Sequence, residues 1–258
     1  MDAASFRKCT GCRDGAAFPH ALLTAFQPIY DLRDGSVFAY EALVRGADGQ
    51  GAAEMLALVD DDNLYAFDQA CRVAAIRQAV TAGLLDCQAR LSINFMPNAV
   101  YSPMACIQLT LKTARETGLA EERLIFEFTE NERLDIAHVA NIVAAYRSLG
   151  FATAIDDFGA GYSGLNLLAN LNTELVKLDM ELVRGIDDSE PRRQIVHAMV
   201  RLCEEMGRQV IAEGIETRGE LDAIRALGIY LVQGYHLARP AIGQLAPALS
   251  PQKVRLAS

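Results

Sequence analysis

Residues 153–179 read TAIDDFGAGYSGLNLLANLNTELVKLD and contain two short apolar runs, separated by a segment that opens with a glycine-rich turn. Each run carries charge near its end, with Asp156 and Asp157 in the first and Lys177 in the second. Nearly continuous apolar residues are typical of strands that are buried on both faces of a parallel sheet. A charged side chain inside such a strand is costly unless it is paired or binds a metal. These charges therefore indicate a functional site.

Apolar runs with late polar residues recur along the chain. They are VFAYEALVR with Glu41 and Arg45, LSINF with Asn94, LIFEFTE with Glu127, VIAEG with Glu213 and LVQGY with Gln233. From residue 89 onward the runs alternate with predicted helices, one of which starts at a capping box formed by Thr217 and Glu220. The glycines expected to end helices are Gly83, Gly118, Gly150, Gly207 and Gly228. The alternation predicts parallel strands connected by helices.

The beginning of the chain has a different pattern. AFQPIYDL at 25–32 and VFAYEALVR at 37–45 flank a tight turn that contains Asp34 and Gly35, which predicts a β-hairpin. A hairpin within an otherwise alternating barrel requires one antiparallel strand. We therefore predict an α/β fold, a barrel with one antiparallel strand.

Length and composition limit the number of domains that the chain can form. A chain of 258 residues fits one barrel or two smaller domains, and 51% hydrophobic residues suffice for a large core. No linker rich in Pro, Gly or Ser divides the chain. We expect a single domain at 21–250, an amino-terminal extension at 1–20 and a tail at 251–258.

Net charge and hydropathy argue against nucleic-acid and membrane partners. The net charge of −9 argues against a general nucleic-acid-binding surface. No apolar stretch approaches the roughly 18–20 residues that span a bilayer, and the first residues lack the apolar centre of a signal peptide. We expect a cytoplasmic protein without a nucleic-acid or membrane partner.

Cys9 and Cys12 form a CxxC motif outside the predicted barrel. The motif could be half of a zinc site, for which His20 is the only further ligand nearby, an intersubunit contact, a redox pair, or a reduced and exposed pair. No strand precedes it, which disfavours the redox alternative. The reduced pair is the simplest interpretation.

Parallel strands place their carboxyl ends on one face of a barrel, where active sites are built. Taken singly, each charged residue has an ordinary explanation: a carboxylate can end a strand in solvent, Asp156 can cap a helix, and Lys177 can extend to the surface. None explains the shared position of carboxylates on successive strands. Oxygen ligands without His or Cys favour magnesium or manganese over zinc, and a pair of such cations suits phosphodiester hydrolysis. Lys177 would then polarise or position the attacking water.

A competing motif is GAGYSG at 159–164. It matches the G-x-G-x-x-G fingerprint, follows a predicted strand, opens a helix, and has Asp179 about 20 residues further on. However, Asp156 and Asp157 stand immediately before it, where a pyrophosphate would meet two negative charges. Nicotinamide dinucleotide binding is therefore disfavoured.

Eight motifs between about Leu22 and Pro240 occur in a recognisable order. They are FQPI (26–29), EALVR (41–45), SINF (92–95), EFTEN (127–131), AIDDFGAGYSGL (154–165), VKLD (176–179), AEGIE (212–216) and QGYHLARP (233–240). Together they resemble the EAL family, bacterial phosphodiesterases that hydrolyse cyclic di-GMP to linear pGpG on a modified (β/α)8 barrel. SINFMPNAVY and DDFGAGYSGL resemble most the EAL modules that follow blue-light-sensing BLUF domains, although this sequence contains no BLUF domain.

The resemblance implies two divalent cations, magnesium or manganese, and a role for each matched residue. The implied first metal site comprises Glu41, Asn94, Glu127 and Asp156, and the implied second comprises Asp156, Asp157 and Glu213. Lys177 would contact the nucleophilic water, with Glu41 and Glu213 as its catalytic neighbours. The implied substrate contacts are Gln27, Leu43, Arg45, Gln233, Gly234 and Pro240. The implied supports of the loop after Asp157 are Thr129, Glu130 and Glu216.

The loop after Asp157 departs from the commonest family wording, DDFGTGYSSL, at Ala160 and Gly164. In the family this loop contributes to dimer contacts, and the resemblance implies a homodimer through the helix starting at Tyr162. Two hypotheses follow. The chain is a metal-dependent cyclic di-GMP phosphodiesterase, or it is a catalytically weak cyclic di-GMP receptor or regulatory protein that acts through protein–protein contacts.

Overall fold

A closed sheet of eight strands forms the centre of the computed structural model, which describes residues 17–129, 135–161 and 164–250. The barrel strands are β1 Leu22–Asp31, β2 Val37–Gly46, β3 Arg90–Asn94, β4 Leu124–Thr129, β5 Ala152–Phe158, β6 Leu175–Leu178, β7 Gln209–Ala212 and β8 Leu231–Val232. A further short strand, β9 at Ala241–Ile242, pairs with β1.

The strand directions confirm the predicted barrel. Strands β2 to β8 are parallel to their neighbours and follow one another in chain order. Strand β1 is antiparallel to β2 along nearly its whole length and antiparallel to β8 at Tyr30 and Asp31, which closes the barrel. The antiparallel strand predicted from the hairpin is therefore β1.

Helices surround the barrel in the positions that the alternation predicts. Within the described ranges they are α1 Ala52–Leu56, α2 Leu64–Thr81, α3 Pro103–Cys106, α4 Gln108–Thr117, α5 Ile136–Ser148, α6 Gly164–Asn170, α7 Met180–Val183, α8 Glu190–Glu205 and α9 Arg218–Ala226. Short 3-10 helices lie at Leu84–Asp86, Pro97–Ala99, Glu121–Arg123 and Ile186–Asp188. None of these helices is both long and apolar enough to cross a membrane.

The local signals in the sequence have the expected structural counterparts. The Thr217 hydroxyl accepts a hydrogen bond from the Glu220 backbone N–H at 3.1 Å, and the Glu220 carboxylate accepts one from the Thr217 N–H at 3.0 Å, so the capping box is confirmed. The five glycines that were expected to end helices all have positive φ angles. Residues 1–16, with Cys9 and Cys12, and residues 251–258 lie outside the described residues.

The core has two layers, one inside the barrel and one between the barrel and its helices. The inner cluster comprises Ile29, Ala39, Ile125, Ala152, Ala154, Leu175, Ile211 and Leu231, all from barrel strands. The outer cluster is larger and joins the other strand faces to the helices. Because side chains alternate between the faces of a strand, the inner cluster marks which positions of each strand face the barrel axis.

Candidate metal centre and active site

The inward-facing positions decide which side chains reach the site. Two residues after Ile125, Ala154, Leu175 and Ile211 of the inner cluster, the chain has Glu127, Asp156, Lys177 and Glu213. The same spacing leads from Ala39 to Glu41 and from Leu231 to Gln233. Each polar residue therefore occupies the next inward position toward the carboxyl end of its strand. This period of two residues is why the late polar residues converge.

Lys177 lies at the centre of the converging side chains, with its own side chain only 1% exposed. Its Nζ atom is 2.8 Å from a carboxylate oxygen of Asp156, 2.8 Å from one of Glu213, 3.0 Å from one of Glu127 and 3.5 Å from one of Glu41. One buried ammonium thus faces four carboxylates. The imbalance leaves an excess of negative charge that further cations could neutralise.

Two amides orient Glu41 from opposite sides. Asn94 Nδ2 donates a hydrogen bond to Glu41 Oε1 at 3.2 Å, and Gln233 Nε2 donates one to Glu41 Oε2 at 2.7 Å. The amide nitrogens are thereby committed to Glu41, and the amide oxygens are left for other partners. Among the described residues, the buried Gln233 Oε1 has no hydrogen-bond partner.

A bulge in β5 brings two adjacent aspartates to the same site. Consecutive residues of a regular strand point to opposite faces, but the register between β5 and β6 shifts between Ile155 and Phe158. Asp157 has a φ angle of 53°, the left-handed conformation that aspartate tolerates better than most residues. As a result, carboxylate oxygens of Asp156, Asp157 and Glu213 lie within 4.8 Å of one another. Bulges often re-aim side chains in this way next to active sites.

The carboxylates form two overlapping groups that suit hard divalent cations. Glu41, Glu127 and Asp156 have carboxylate oxygens within 4.8 Å of one another, and so do Asp156, Asp157 and Glu213. Asp156 belongs to both groups. Oxygen donors of this kind are the ligands that magnesium and manganese prefer. The donor set and the shared aspartate fit a pair of neighbouring cations.

Burial and the neighbouring carboxylates shift the pKa values of the acidic side chains. Burial raises the pKa of Glu127 to about 8, and Glu41 and Asp156 add to the increase while Lys177 opposes it. Burial, together with Asp156, raises the pKa of Asp157 to about 6. Burial also raises the pKa values of Asp156 and Glu213. For Lys177, burial alone lowers the pKa, but its carboxylate neighbours raise it to well above the ordinary value, so Nζ stays protonated.

A match to a model of the EAL domain spans residues 19–240, which is most of the chain. The chain belongs to the EAL domain family. The crystal structure of a standalone versatile EAL protein from Vibrio cholerae O395, in its c-di-GMP bound form, is 44% identical with a TM-score of 0.86, and covers 90% of this chain and 98% of that chain. BlrP1 from Klebsiella pneumoniae, in a manganese and cyclic di-GMP complex, is 32% identical with a TM-score of 0.82, and covers 90% of this chain and 59% of that chain.

Curated EAL relatives are more distant in sequence. The blue light- and temperature-regulated antirepressor BluF of Escherichia coli K12 is 28% identical over 230 residues, which are 89% of this chain and 57% of that protein. The cyclic di-GMP phosphodiesterase NbdA of Pseudomonas aeruginosa is 30% identical over 226 residues, which are 83% of this chain and 28% of that protein. The chain thus spans only about a quarter to three fifths of the length of these two relatives.

The EAL domain has a cleft of about 250 Å³ above the carboxylates. Of the residues expected to contact substrate, Gln27, Gln233 and Gly234 line this cleft together with Glu41, Asp156, Asp157 and Glu213. Leu43 instead lines a neighbouring apolar cavity, together with Asn94 and Thr129. Arg45 and Pro240 are among the lining residues of neither cavity, and Arg45 Nη1 donates a hydrogen bond to the Val44 carbonyl at 2.7 Å.

The residues expected to support the loop after Asp157 have different surroundings. Thr129 pairs with Asp156 across β4 and β5. Glu216 lines the cleft and forms an ion pair with Arg184 at 2.6 Å. Ala160 is exposed and lies in a shallow depression with Asp157 and Arg184. Glu130 and Tyr162 lie outside the described residues.

Sequence reasoning did not place two polar residues in this site: Ser92, and Asp179, which it considered only as part of the dinucleotide fingerprint. Ser92 precedes Asn94 by one inward position, and its hydroxyl donates a hydrogen bond to Glu127 Oε1. Asp179 follows Lys177 by one inward position, lines the cleft, and accepts a hydrogen bond from the Glu181 N–H at 2.7 Å. Applying the period of two residues in both directions from Asn94 and Lys177 would have found both.

Proposed function

We propose that this EAL protein is a cyclic di-GMP phosphodiesterase that uses two divalent cations and water to produce linear pGpG. The observation that carries the proposal is the pair of carboxylate groups that share Asp156 and surround Lys177. Similar proteins support the substrate, because the Vibrio cholerae structure is a c-di-GMP bound form and the BlrP1 structure is a complex with manganese and cyclic di-GMP. NbdA carries the name cyclic di-GMP phosphodiesterase.

Glu41, Asn94, Glu127 and Asp156 would hold one cation, and Asp156, Asp157 and Glu213 the other. When bound, the cations would supply Lewis-acid stabilisation and lower the pKa of a bound water. They would also offset the acidic lining of the cleft, which otherwise repels a phosphodiester anion.

The protonated Lys177 has a defined part in this scheme. Its pKa is raised above the ordinary value because Asp156, Glu127, Glu213 and Glu41 outweigh the effect of burial. Nζ would serve as a hydrogen-bond donor that positions a water oxygen. Gln27, Gln233 and Gly234 line the cleft and would orient the dinucleotide.

The decisive experiment is a chromatographic assay of pGpG formation with cyclic di-GMP and manganese or magnesium. We expect turnover that a chelator abolishes and that Glu41→Gln lowers by about 100-fold or more, because Glu41 is held by two amides at the metal site. Asp48→Asn, at an exposed carboxylate just beyond the same strand, is the matched control and should retain full activity. A Glu41→Gln protein as fast as the unmodified protein would falsify the proposal.

A second candidate function is a cyclic di-GMP receptor or regulatory protein with little turnover. It is favoured by the similarity to BluF, which is named an antirepressor, and by Ala160 in the loop after Asp157. Calorimetry with cyclic di-GMP separates the two candidates. Tight binding without pGpG formation in manganese would support the receptor, and restoration of turnover by Ala160→Thr would locate the defect in that loop.

A homodimer is the proposed assembly, formed through helix α6 and its surroundings. Leu165 on α6 is 64% exposed, a large apolar side chain that a second copy could cover. Sedimentation velocity of the unmodified protein and of Leu165→Glu tests this assembly. We expect a dimer that the substitution dissociates, and an unmodified protein that stays monomeric at tens of micromolar would overturn it.

A further inference from the structure

A buried ion pair on helix α2 lies behind the metal ligands and has no part in the scheme above. Asp68 and Arg72 stand one turn apart, their side chains are 1% and 0% exposed, and Arg72 Nη2 is 2.8 Å from Asp68 Oδ2. Arg72 Nη1 also donates a hydrogen bond to Tyr146 Oη at 2.9 Å. A buried ion pair is weak evidence for stability, because apolar side chains of similar volume often serve as well or better. The pair therefore needs another explanation.

Asp68 holds the backbone that follows the ligand Asn94. The second oxygen of Asp68, Oδ1, accepts a hydrogen bond from the Met96 backbone N–H at 3.0 Å. Met96 is only two residues beyond Asn94, at the point where the chain leaves strand β3. This contact connects helix α2 to the end of β3 across 28 residues of sequence.

Arg72 holds the same region through aromatic rings. Its guanidinium lies 5.5 Å from the ring centroid of Phe95 and 5.3 Å from that of Phe126. Phe95 follows Asn94, and Phe126 precedes Glu127, so each ring is the sequence neighbour of an expected metal ligand. The Phe95 N–H donates to the Glu127 carbonyl at 2.9 Å, which ties the two strand ends together.

Packing alone does not fix Asn94. An apolar cavity of about 250 Å³ lies beside it, and Asp68, Asn94, Phe95 and Met96 all line that cavity. Pairing with β4 holds the Asn94 backbone on one side. With open space on the other side, the Met96 hydrogen bond and the contact with Glu41 orient the Asn94 side chain. A displaced backbone would swing the amide away from its carboxylate partner.

We infer that Asp68, aligned by Arg72, is a positioning residue for Asn94 and thereby sets the affinity of the first metal site. The inference rests on the proposed metal site and adds a determinant outside its ligands. Such residues behind ligands typically change metal affinity by about 10–100-fold when they are removed. The second metal site, which lacks Asn94, should be unaffected.

Two triple variants that differ at one position test the inference. Asp68→Leu/Arg72→Met/Tyr146→Phe removes the polar network and the acceptor for the Met96 N–H. Asp68→Asn/Arg72→Met/Tyr146→Phe also removes the charges but keeps an acceptor oxygen at position 68. Gln69 Nε2 donates to Asp68 Oδ2, so a turn of the Gln69 amide lets its partnerless Oε1 accept from the new amide at position 68. Neither protein leaves a buried charge unpaired. The Leu variant leaves the Met96 N–H and Gln69 Nε2 without their acceptor, so it should be less stable than the Asn variant.

Calorimetric titration of manganese is the readout. We expect the Leu triple variant to bind manganese about 10-fold or more weakly in one of two steps, and the Asn triple variant to keep near wild-type affinity. With cyclic di-GMP, the Leu variant should need more manganese for half-maximal turnover but keep its kcat at saturating metal. Equal manganese affinities in the two variants would overturn the inference.

Two further outcomes are distinguishable. If the wild-type protein binds no manganese, the proposed function fails and the inference fails with it. If the Leu triple variant does not fold, Asp68→Glu decides the matter, because it keeps the charge and moves the carboxylate by one methylene into the neighbouring cavity. A ten-fold weaker manganese site in Asp68→Glu would support the inference, and an unchanged one would overturn it.

Discussion

Lys177 and its four carboxylate neighbours make the site electrostatically unbalanced in the absence of metal. The side chains of Lys177 and Glu127 are each 1% exposed, so water cannot screen the repulsion among the acids. Burial, and after it the neighbouring carboxylates, favour the protonated acids, so the pKa of Glu127 rises to about 8 and that of Asp157 to about 6. Divalent cations would take the place of those protons.

The raised pKa values predict how the stability of the metal-free protein depends on pH. A group whose pKa is higher in the folded state stabilises the fold at low pH and loses that contribution as the pH rises through the folded value. In a chelator, the unfolding temperature should therefore fall as the pH rises through about 6 and then about 8. The pKa of Lys177 lies above this window, so its contribution does not change within it.

Calorimetry across this pH range checks the prediction. Glu127→Gln removes the group with the higher of these two pKa values and should flatten the decline in unfolding temperature near pH 8. Asp48→Asn should leave the decline unchanged. A wild-type unfolding temperature that rises between about pH 6 and about pH 8 in chelator would contradict it.

At the scale of the elements, the site depends on how tightly the strand ends pack against the short helix α7. Gly214 follows Glu213 at the end of β7 and has a φ angle of 67°. A Cβ atom at this position would lie 2.3 Å from the Met180 Cβ and 3.1 Å from the Met180 Cα. The absence of a side chain lets α7, which begins at Met180, approach the strand that carries Glu213.

Gly214→Ala should therefore destabilise the protein and disturb Glu213. The left-handed backbone costs about 1–2 kcal/mol for alanine, and the contact with Met180 adds about 1–3 kcal/mol, because a Cα atom cannot move aside as a flexible side chain can. Urea unfolding measures the loss of stability, and manganese titration measures the disturbance of Glu213.

Gly228→Ala is the matched control for this prediction. Gly228 has a φ angle of 87°, but an added Cβ there has no described atom within 4 Å. The Gly228→Ala protein should lose only the free energy of unfolding that the left-handed backbone conformation costs alanine, about 1–2 kcal/mol. Its manganese binding should be unchanged. Equal losses of stability in the two variants would contradict the role given to the Met180 contact.

At the scale of the whole molecule, the candidate active site joins seven of the eight barrel strands, and its expected metal ligands come from five of them. Its side chains come from β2 to β8 or from the residue immediately after each strand. Cations that bind only the folded barrel would stabilise it as a unit, because the unfolded chain cannot assemble ligands from distant strands.

Metal should therefore raise the unfolding temperature of the whole protein in a concentration-dependent way. At a manganese concentration about 100 times the dissociation constant, the expected gain is about 2.7 kcal/mol for one site. Differential scanning calorimetry over a manganese series measures it. A protein with Glu41→Gln and Glu213→Gln should show little gain, Asp48→Asn should match wild type, and a gain of equal size in all three would point to binding elsewhere.

Much of the fold and of the site could be predicted from the sequence. The hairpin turn around Asp34 and Gly35 predicted the antiparallel β1, and the alternation of apolar runs with glycine-ended helices predicted the parallel strands. The clustering of Glu41, Glu127, Asp156, Lys177 and Glu213 also followed from the sequence. These features are local, since strand period, turn chemistry and helix caps depend on residues that are close along the chain.

The sequence by itself determined the order of the strands and which polar residues end on the carboxyl face of the barrel, because both follow from short-range periodicity and from the geometry of parallel strands. Only the tertiary structure decided that a bulge turns Asp157 toward the side of Asp156 and that Asp68 holds the Met96 N–H. These depend on strand register and on contacts between residues far apart in sequence. No local pattern encodes such contacts, since they exist only once the closed barrel has brought the segments together.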